Sequence, residues 1–483
     1  MNPAMLGQFN ALRGERKTLI RKALDTSIGA TTVGASPLIA QKLEKIITNT
    51  IVRLSPELAV IQSEYDPQKY HEFNQLTALP AAGGFMGEGA TTPTYNATYA
   101  RQSVPLKVVR RKGAVTNFLQ DASKNYLDAA AAEMENHLQA HVYDLIAGLE
   151  WGNKDANTYQ YDGLDKLITT NRRNEAVGGA VPTSLGFLDD MIDANLEKQG
   201  GQHKKVILAS PKMQSLISRL LTNVRLNQNA VGGGLSTVDI EGGWRLAAYR
   251  DIPILPVAGM SPKATMGTVT ASFATSGGAV ADHAYYFRVA YVDYNGESEA
   301  SAQATVTTTG GSGNVSTVTL AWTAITGAIL YKIYCSGTTG AVTLVAEIPA
   351  VTYDSTGTYV AAVTGVVFTT TPSTYNPTLT LSATGGVLTG PTASVSATLS
   401  TDVPLVSTGG IKPETVILWD LDKFQGLGKV PYTNAGGDRF GGLVTMVPLA
   451  ITDDNIPFLI RSYLALCPSF EASSVLVRGL RVA

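Results

Sequence analysis

The sequence predicts an α+β fold with an all-β sandwich inserted into it. Helical and strand-like segments alternate from Tyr161 to Val257, which is typical of a compact domain of mixed structure. At about residue 261 the helical periodicity disappears, and short alternating runs bounded by Gly, Asn or Ser follow to about residue 408. Mixed character returns after Gly409, so an insertion explains the order better than domains in tandem.

Length and composition set the limits of what the chain can do. With 483 residues we expect two or three domains, and a formal net charge of −2 predicts no strong overall affinity for nucleic acid or membrane. No apolar run approaches the ~20 residues that span a bilayer. The basic N-terminal segment lacks a following apolar core, so we expect no secretory signal. A soluble, unprocessed protein made in the cytoplasm is therefore expected.

The two cysteines predict neither a disulfide framework nor a zinc site. Cys335 and Cys467 lie far apart in the sequence, and neither belongs to a CxxC pair. This usage fits a reducing compartment and two buried thiols.

Residues 1–60 are expected to form an arm. The segment RGERKTLIRKALDT has helical character and carries five cations: Arg13, Arg16, Lys17, Arg21 and Lys22. Clustered cations suffice for nonspecific contact with phosphates, so this arm could contact a polyanion. A solvated basic helix is the alternative.

Residues 61–115 are expected to form two long extended segments around a glycine-rich loop. Pro80, Pro93 and Pro105 exclude a helix here. Extended chain follows the glycines, whereas a phosphate cradle needs a helix there, so a mobile loop tip is favoured. The residues that could contact another subunit at this tip are Gly83, Gly84, Gly87, Glu88 and Gly89.

The second extended segment carries Arg110, Arg111 and Lys112 in succession. These cations could bridge to acidic groups on neighbouring subunits. They could equally be solvated.

A long amphipathic helix is predicted from Ala122 to Leu149, with Asp121 or Ser123 as its cap and Gly152 as its stop. At 1.5 Å per residue it would be about 40 Å long, as a structural spine would be.

Further elements follow at clear signals. LGFLDDMIDANLEKQG and PKMQSLISRLL predict helices, KKVILAS and ETVILWDLDKF predict strands, and GWRLAAYRDIPILPV predicts a strand hairpin. The C-terminal segment predicts two strands around Pro468, which we expect to pair with earlier strands beside the long helix.

The inserted segment is acidic and shows no clustered carboxylates that suggest metal or glycan binding. Its aromatic residues are expected to form the core of a sandwich; they are Trp322, Tyr291, Tyr331 and Tyr334.

Motifs for catalysis are weak throughout. His137 and His141 share a helix face and could ligate zinc, but Leu138 stands where a metalloprotease needs its Glu base. No GxSxG elbow or P-loop occurs. We therefore expect no enzyme, no cofactor and no metal.

In this order, the features resemble the major capsid proteins of tailed bacteriophages, whose Hong Kong 97 capsid fold is also used by encapsulins. The resemblance is carried by GEGATTP, PLKVVRRKGAVTNFLQDAS, the helix to AGLEWG, DGLDKLI, KVILASPKMQSLISRL, YRDIPILPV and SYLALCPSFEASSVLVRGL. Within the insertion, YYFRVAYVDYNGESEAS and VTLAWTAITGAILYKIY resemble fibronectin type III or immunoglobulin-like repeats.

The resemblance implies a domain plan. It comprises an N-terminal arm (1–60), an extended hairpin loop (61–115), a peripheral domain with the spine helix (116–167 and 447–483), an axial domain (168–261 and 409–446) and an inserted Ig-like β-sandwich domain (262–408).

A structural role follows from the same resemblance. Hexamers and pentamers of the chain would close an icosahedral shell around double-stranded DNA, in a virion capsid assembled in the bacterial host cytoplasm. Other implied partners are a portal protein, a separate scaffold or none, decoration proteins and nonspecifically bound DNA, with no membrane. The sandwich would project outward. The alternatives are an encapsulin-like cargo compartment and a surface adhesin carried by the β domain.

Overall fold

A computed structural model describes most of the chain. The described residues are 57–60, 62–65, 70–80, 88, 91, 94–123, 128–175, 181–199, 204–227, 236–240, 244–309, 316–338, 342–353, 358–369, 371, 381–383, 401–421, 429–432, 445–449 and 454–482. All but one of them belong to a single compact unit, Arg53–Ala122 with Asp128–Ala483. Ser123 belongs to the other unit, Met1–Val52 with Ser123–Leu127.

The described elements are numbered in chain order. The helices are α1 Glu57–Val60, α2 Asn117–Ser123, α3 Ala129–Trp151, α4 Leu164–Leu167, α5 Gly186–Gln199 and α6 Pro211–Asn227, with 3₁₀ turns at Ala258–Met260 and Glu471–Ser473. The first nine strands are β1 Gln62–Tyr65, β2 Tyr70–Ala78, β3 Thr98–Pro105, β4 Lys107–Thr116, β5 Arg172–Asn174, β6 Lys205–Ala209, β7 Ser236–Ile240, β8 Trp244–Tyr249 and β9 Ile252–Pro256. The next eleven are β10 Thr270–Ala274, β11 Ala284–Asp293, β12 Gly296–Glu297, β13 Ala304–Thr307, β14 Thr317–Ala321, β15 Ala328–Ser336, β16 Thr343–Pro349, β17 Val351–Tyr353, β18 Tyr359–Ala362, β19 Gly365–Phe368 and β20 Leu381–Ala383. The last five are β21 Lys412–Asp420, β22 Lys429–Tyr432, β23 Thr445–Pro448, β24 Asn455–Leu464 and β25 Val475–Val482.

A seven-stranded mixed sheet, here called the central sheet, is the largest sheet in the described part of the chain, with the order β5–β25–β21–β6–β9–β8–β7. Helices α5 and α6 pack on one face around Met191, Ile217 and Val416. The end of α3 and strand β24 cover the other face, where Trp419 is fully buried. Because both faces are covered, the middle strands have nearly continuous apolar sequences.

The predicted elements of this part are confirmed. Helix α6 begins at Pro211, and the Met213 amide donates to Ser210 Oγ at 3.0 Å, which caps the helix. Strands β8 and β9 form the predicted hairpin. Its turn residues Arg250 and Asp251 have φ of 47° and 64°, the left-handed conformation that a type I′ turn requires.

A second sheet lies beside α3. Strand β24 pairs antiparallel with β4 along its whole length, from Asn455 opposite Thr116 to Leu464 opposite Lys107. This pairing of a C-terminal strand beside the long helix confirms the prediction. For the last strand the same expectation is wrong, because β25 pairs with β21 and β5 in the seven-stranded sheet. Its side chains are buried on both faces there, which a central position explains.

The long helix is shorter than predicted. It begins at Ala129 rather than Ala122 and ends at Trp151, as the stop at Gly152 predicts. The Asp128 side chain accepts from the Ala131 amide at 3.1 Å and acts as the cap. At 1.5 Å per residue, α3 is about 35 Å long.

The C-terminal turn of α3 packs against the chain that follows it. Tyr161 Oη donates to the Leu145 carbonyl at 2.7 Å, and the ring is buried. A Cβ on Gly148 would lie 2.6 Å from that hydroxyl oxygen, so only glycine fits beneath the ring. This contact fixes the direction in which the chain leaves the helix.

The described part of the inserted segment forms two larger sheets around one core, with a separate two-stranded sheet of β17 and β18. One sheet has the order β10–β14–β19–β20; in the other, β11 pairs with β12, β13 and β15, and β15 pairs with β16. Phe287 from the second sheet packs against Phe368 from the first, with ring centroids 5.6 Å apart. Trp322, Tyr291 and Tyr331 lie in this core as predicted. An immunoglobulin-like relationship stays a prediction.

Both cysteines, Cys335 and Cys467, are buried free thiols, in line with the sequence. Among the described helices, none is long and apolar enough to cross a bilayer.

Candidate functional site: an exposed hairpin and a buried charge cluster

Strands β2 and β3 form a two-stranded antiparallel hairpin whose pairing runs from Tyr70 opposite Pro105 to Ala78 opposite Thr98. Its side chains are exposed or only half-buried on both faces. Glu72 and Arg101 form an exposed ion pair across the strands at 3.4 Å. An isolated two-stranded hairpin is at best marginally stable in water, so this one needs a further surface to lie on.

Exposed apolar side chains concentrate in and beside this hairpin. Of the thirteen large hydrophobic residues exposed in the described part of the chain, eight lie between residues 70 and 119: Tyr70, Leu76, Leu79, Tyr95, Tyr99, Val108, Phe118 and Leu119. Leu79 is 75% exposed and Tyr99 is 71% exposed. A concentration of this kind marks an interaction site rather than an ordinary solvated surface.

The hairpin contacts the C-terminal segment through Gln75. Gln75 Nε2 donates to the Ser469 carbonyl at 2.5 Å. A cavity of about 310 Å³ lies beside it, lined in part by Phe73, Lys107 and Glu471. The hairpin base is therefore not close-packed against the core.

The predicted contact residues fall in two groups. Gly83, Gly84, Gly87 and Gly89 of the loop tip lie outside the described residues, as do Arg13, Arg16, Lys17, Arg21 and Lys22 of the arm. Glu88 is described and exposed. Contact of these residues with another subunit or with DNA stays a prediction.

The three consecutive cations of β4 lie on opposite faces of its sheet. Arg111 faces α3, where its Nη2 donates to Asp144 Oδ2 at 2.6 Å. Arg110 and Lys112 are exposed on the other face. Arg110 lies directly opposite Arg461 of β24, so this face carries three cations. Like charges directly opposite each other repel, which favours an anionic group over this face.

The two histidines of α3 contact different partners. His141 Nε2 lies 2.8 Å from Ser462 Oγ, and His137 Nε2 lies 3.2 Å from Glu133 Oε1. Burial, with the nearby charge of Arg111, lowers the pKa of His141 to about 4. Among the described residues, no group of three or more His, Cys, Asp or Glu side chains is arranged to hold a metal ion.

Where the inserted sandwich meets the central sheet, seven charged side chains form one buried group, here called the junction cluster. Its members are Asp165, Arg172 and Arg478 from the surrounding fold, Glu297, Lys332 and Glu347 from the sandwich, and Asp402 from the returning chain. Each of these side chains is at most 5% exposed.

The contacts within the junction cluster cross from one part to the other. Lys332 Nζ lies 2.6 Å from Asp165 Oδ2 and 3.1 Å from Glu297 Oε2. Arg478 Nη1 and Nη2 each donate to Glu297 at 2.9 Å, and Tyr334 Oη also donates to Glu297 at 2.9 Å. Arg172 Nε donates to Asp402 at 2.7 Å. All three cations thus bridge between the surrounding fold and the insertion or its returning chain.

Neighbouring charges favour the ionised forms of Asp165, Glu297 and Lys332. Burial alone would raise the pKa of Asp165, but Arg172, Lys332 and Arg478 outweigh it and hold that pKa below its usual value. Burial would likewise raise the pKa of Glu297, and Arg478 and Lys332 reverse the direction. The pKa of Lys332 is raised, because the nearby carboxylates outweigh its burial.

Glu297 and Glu347, which the sequence patterns did not single out, both belong to the junction cluster, where each is paired with Lys332. Tyr334 is also outside the sandwich core and lies on the opposite face of β15. The available signal was a single charge within an apolar strand. Lys332 in AILYKIYCS and Glu347 in TLVAEIP each occur between buried neighbours.

Comparisons with known proteins give likenesses to solved structures alone, because no family model and no curated protein matches the chain. The capsid of a native GTA particle is 7% identical at a TM-score of 0.44, covering 94% of this chain and 99% of that one. The capsid of cyanophage A-1(L) is 13% identical at 0.43, covering 92% and 98%. The holo-encapsulin complex of Synechococcus elongatus PCC 7942 is 10% identical at 0.43, covering 93% and 96%. At TM-scores below 0.5 these likenesses carry no conclusion.

Proposed function

We propose that the chain is a major capsid protein of a tailed bacteriophage, with the Hong Kong 97-type arrangement that its sequence resembles. The observation that carries this is the β2–β3 hairpin with its exposed apolar side chains. A surface of this kind is stable only when it is covered. We propose that a second copy of the chain covers this surface, which also agrees with the order of the other elements.

The order of the elements supports this proposal. A hairpin comes first, the spine helix α3 follows, the seven-stranded sheet comes next, and β24 returns to pair beside the helix. We propose the arm at 1–60, the hairpin loop at 61–115, the peripheral domain from 116–167 and 447–483, the axial domain from 168–261 and 409–446, and the sandwich at 262–408. We move one element, β25, from the peripheral to the axial domain, because it pairs in the axial sheet.

In the proposed shell, each hairpin lies on a neighbouring subunit, and stability comes from interlocked buried area rather than from catalysis. Such contacts are heterologous, so they close only when the rotation between subunits is fixed, as it is in hexamers and pentamers. The arm cations and the face of Arg110, Lys112 and Arg461 supply charge for anionic partners, packaged DNA or carboxylates on neighbouring copies.

Electron microscopy of the purified protein, with and without a scaffold, tests assembly directly. Closed shells are the expected result, and particles with nuclease-protected double-stranded DNA would separate a virion capsid from a cargo compartment. Small oligomers under every condition would contradict the proposal.

A matched pair of variants tests the hairpin itself. Tyr99→Asp places a charge on the exposed face of β3, whereas Tyr359→Asp makes the same change at a tyrosine of the sandwich that is 57% exposed. We expect Tyr99→Asp to abolish shells while the subunit keeps its thermal midpoint, and we expect Tyr359→Asp to assemble normally. Equal assembly of both variants would show that the hairpin surface is not the contact.

A further inference from the structure

The junction cluster is one of several contacts between the inserted sandwich and the surrounding fold. Tyr294 of the sandwich stacks on Tyr143 of α3, with ring centroids 5.7 Å apart. Trp151, the last residue of α3, packs with Val292 and Leu330. The ammonium of Lys332 lies 5.1 Å from the centroid of the Trp151 ring. The insertion therefore rests on the end of the spine helix as well as on its linkers.

The linkers add backbone pairing to these contacts. The Met266 amide donates to the Glu299 carbonyl at 2.8 Å. Two sandwich amides donate to carbonyls of the returning chain: Ala300 to Leu405 at 2.8 Å and Leu344 to Asp402 at 2.9 Å. Both connections are thus held against the sandwich, unlike the exposed linkers at which independent domains are joined.

Buried ion pairs have an unusual thermodynamic balance. Taking an ion out of water is costly, and an apolar contact of the same volume is often at least as stable. Hydrogen-bonded charges restrict the relative orientation of the two parts, because Arg478 can donate to both oxygens of Glu297 in only a narrow range of positions. An apolar junction would tolerate small rotations and shifts of the sandwich.

We propose that the junction cluster is an electrostatic lock that holds the inserted sandwich in one orientation and makes it fold and unfold together with the central sheet. The insertion is then part of the shell subunit's own fold and not an appended module. Each of its three cations has carboxylate partners on both sides of the junction, so separating the two parts would remove at least one partner from every cation.

Hydrogen exchange followed by mass spectrometry tests the lock in the unassembled full-length chain. In the parent protein, the backbone amides of β15 in the sandwich and of β21 in the central sheet should exchange through the same unfolding event, here called one shared opening, and therefore at similar rates. The test variant is Glu297→Met with Arg478→Met, which removes one carboxylate and one cation and leaves apolar groups in their place. We expect the β15 peptides to exchange on the order of tenfold faster than the β21 peptides in this variant, as for two separate units.

The control variant is Asp189→Met with Arg250→Met, which removes a 2.8 Å ion pair that lies away from the junction. It should keep the single shared opening. The lock is overturned if the junction variant also keeps one shared opening, or if the parent protein already shows two. Should the junction variant fail to fold, Tyr334→Phe, which removes only the hydroxyl that donates to Glu297 at 2.9 Å and leaves every charge in place, gives the same readout with a smaller change.

Discussion

Arg478 and Glu297, 181 positions apart in the sequence, form a bidentate ion pair in which both hydrogen bonds measure 2.9 Å and neither side chain is exposed by more than 1%. One residue belongs to the last strand of the central sheet and the other to a two-residue strand of the sandwich. Two segments that the sequence assigns to different domains therefore share one pair of charges.

Removing only one partner of this pair should be strongly destabilising. Arg478→Met leaves Glu297 buried with Lys332 as its remaining cation, and breaking a buried pair in this way costs about 3–5 kcal/mol. Chemical denaturation of unassembled subunits measures the loss. The control, Arg250→Met, breaks exposed ion pairs and should cost below about 1 kcal/mol. Similar losses for both variants would mean that the buried ion pair stabilises the fold no more than the exposed ion pairs do.

His141 predicts a loss of stability on mild acidification. Its pKa of about 4 lies below the unfolded value of about 6.5, so the unfolded chain binds more protons between these values. The contribution of His141 is fully present above pH 6.5 and is lost as the pH falls toward 4. From pH 7 to pH 5 the loss is about 2 kcal/mol.

His141→Gln should remove most of that pH dependence. The charge that acts on the ring is Arg111 on β4, which is itself paired with Asp144 on α3, and Ser462 on β24 supplies the hydrogen bond. Denaturation curves at pH 5 and pH 7 for both proteins give the difference. If the stability of the glutamine variant changes with pH as much as that of the parent, groups other than His141 cause the change.

Gly148 and Tyr161 should show coupled effects on stability. Gly148→Ala would place its Cβ 2.6 Å from Tyr161 Oη, and overpacking of this kind costs roughly 1–3 kcal/mol. Tyr161→Phe loses the hydrogen bond to the Leu145 carbonyl, which is worth about 1 kcal/mol. Because the phenylalanine lacks the clashing oxygen, the double variant should lose less than the sum of the two single losses. A double-mutant cycle by thermal denaturation measures this, and strict additivity would contradict the contact.

Arg110→Glu should move stability and assembly in opposite directions. It replaces a like-charge pair across β4 and β24 with an ion pair to Arg461, which stabilises a sheet by roughly 0.2–1 kcal/mol. If the basic face contacts acidic groups of another subunit, the same change should reduce shell formation, which light scattering measures. Lys198→Glu, an equal charge change on an exposed part of α5, is the control. Normal assembly of Arg110→Glu would show that this face is solvated in the shell.

Local signals predict most of the elements. Pro211 after a small polar residue marks the start of α6, and Gly152 marks the stop of α3, because capping and backbone preferences act within a few residues. The start of α3 was misplaced because Asp121, Ser123 and Asp128 are all competent caps. The choice of Asp128 depends on Gln120, which donates to it at 3.0 Å.

Long-range pairing accounts for what sequence patterns did not show. The junction cluster brings together Asp165, Glu297, Asp402 and Arg478, and no short motif joins residues so far apart. The place of β25 is a similar case, because the eight residues VLVRGLRV carry no local signal that favours one sheet over the other. Its partner is decided by Leu476 and Val477, which fill the two cores on either side of the central sheet.

Pairing of β4 with β24 has a consequence for synthesis of the chain. Lys107 is opposite Leu464, 357 positions later, so the ribosome completes the hairpin long before the strand that holds its root exists. Contacts of such large sequence separation form late in folding. Until β24 emerges, the apolar hairpin has no fixed base from which to engage another copy. If the hairpin is the contact proposed above, assembly would wait until each copy has completed its core.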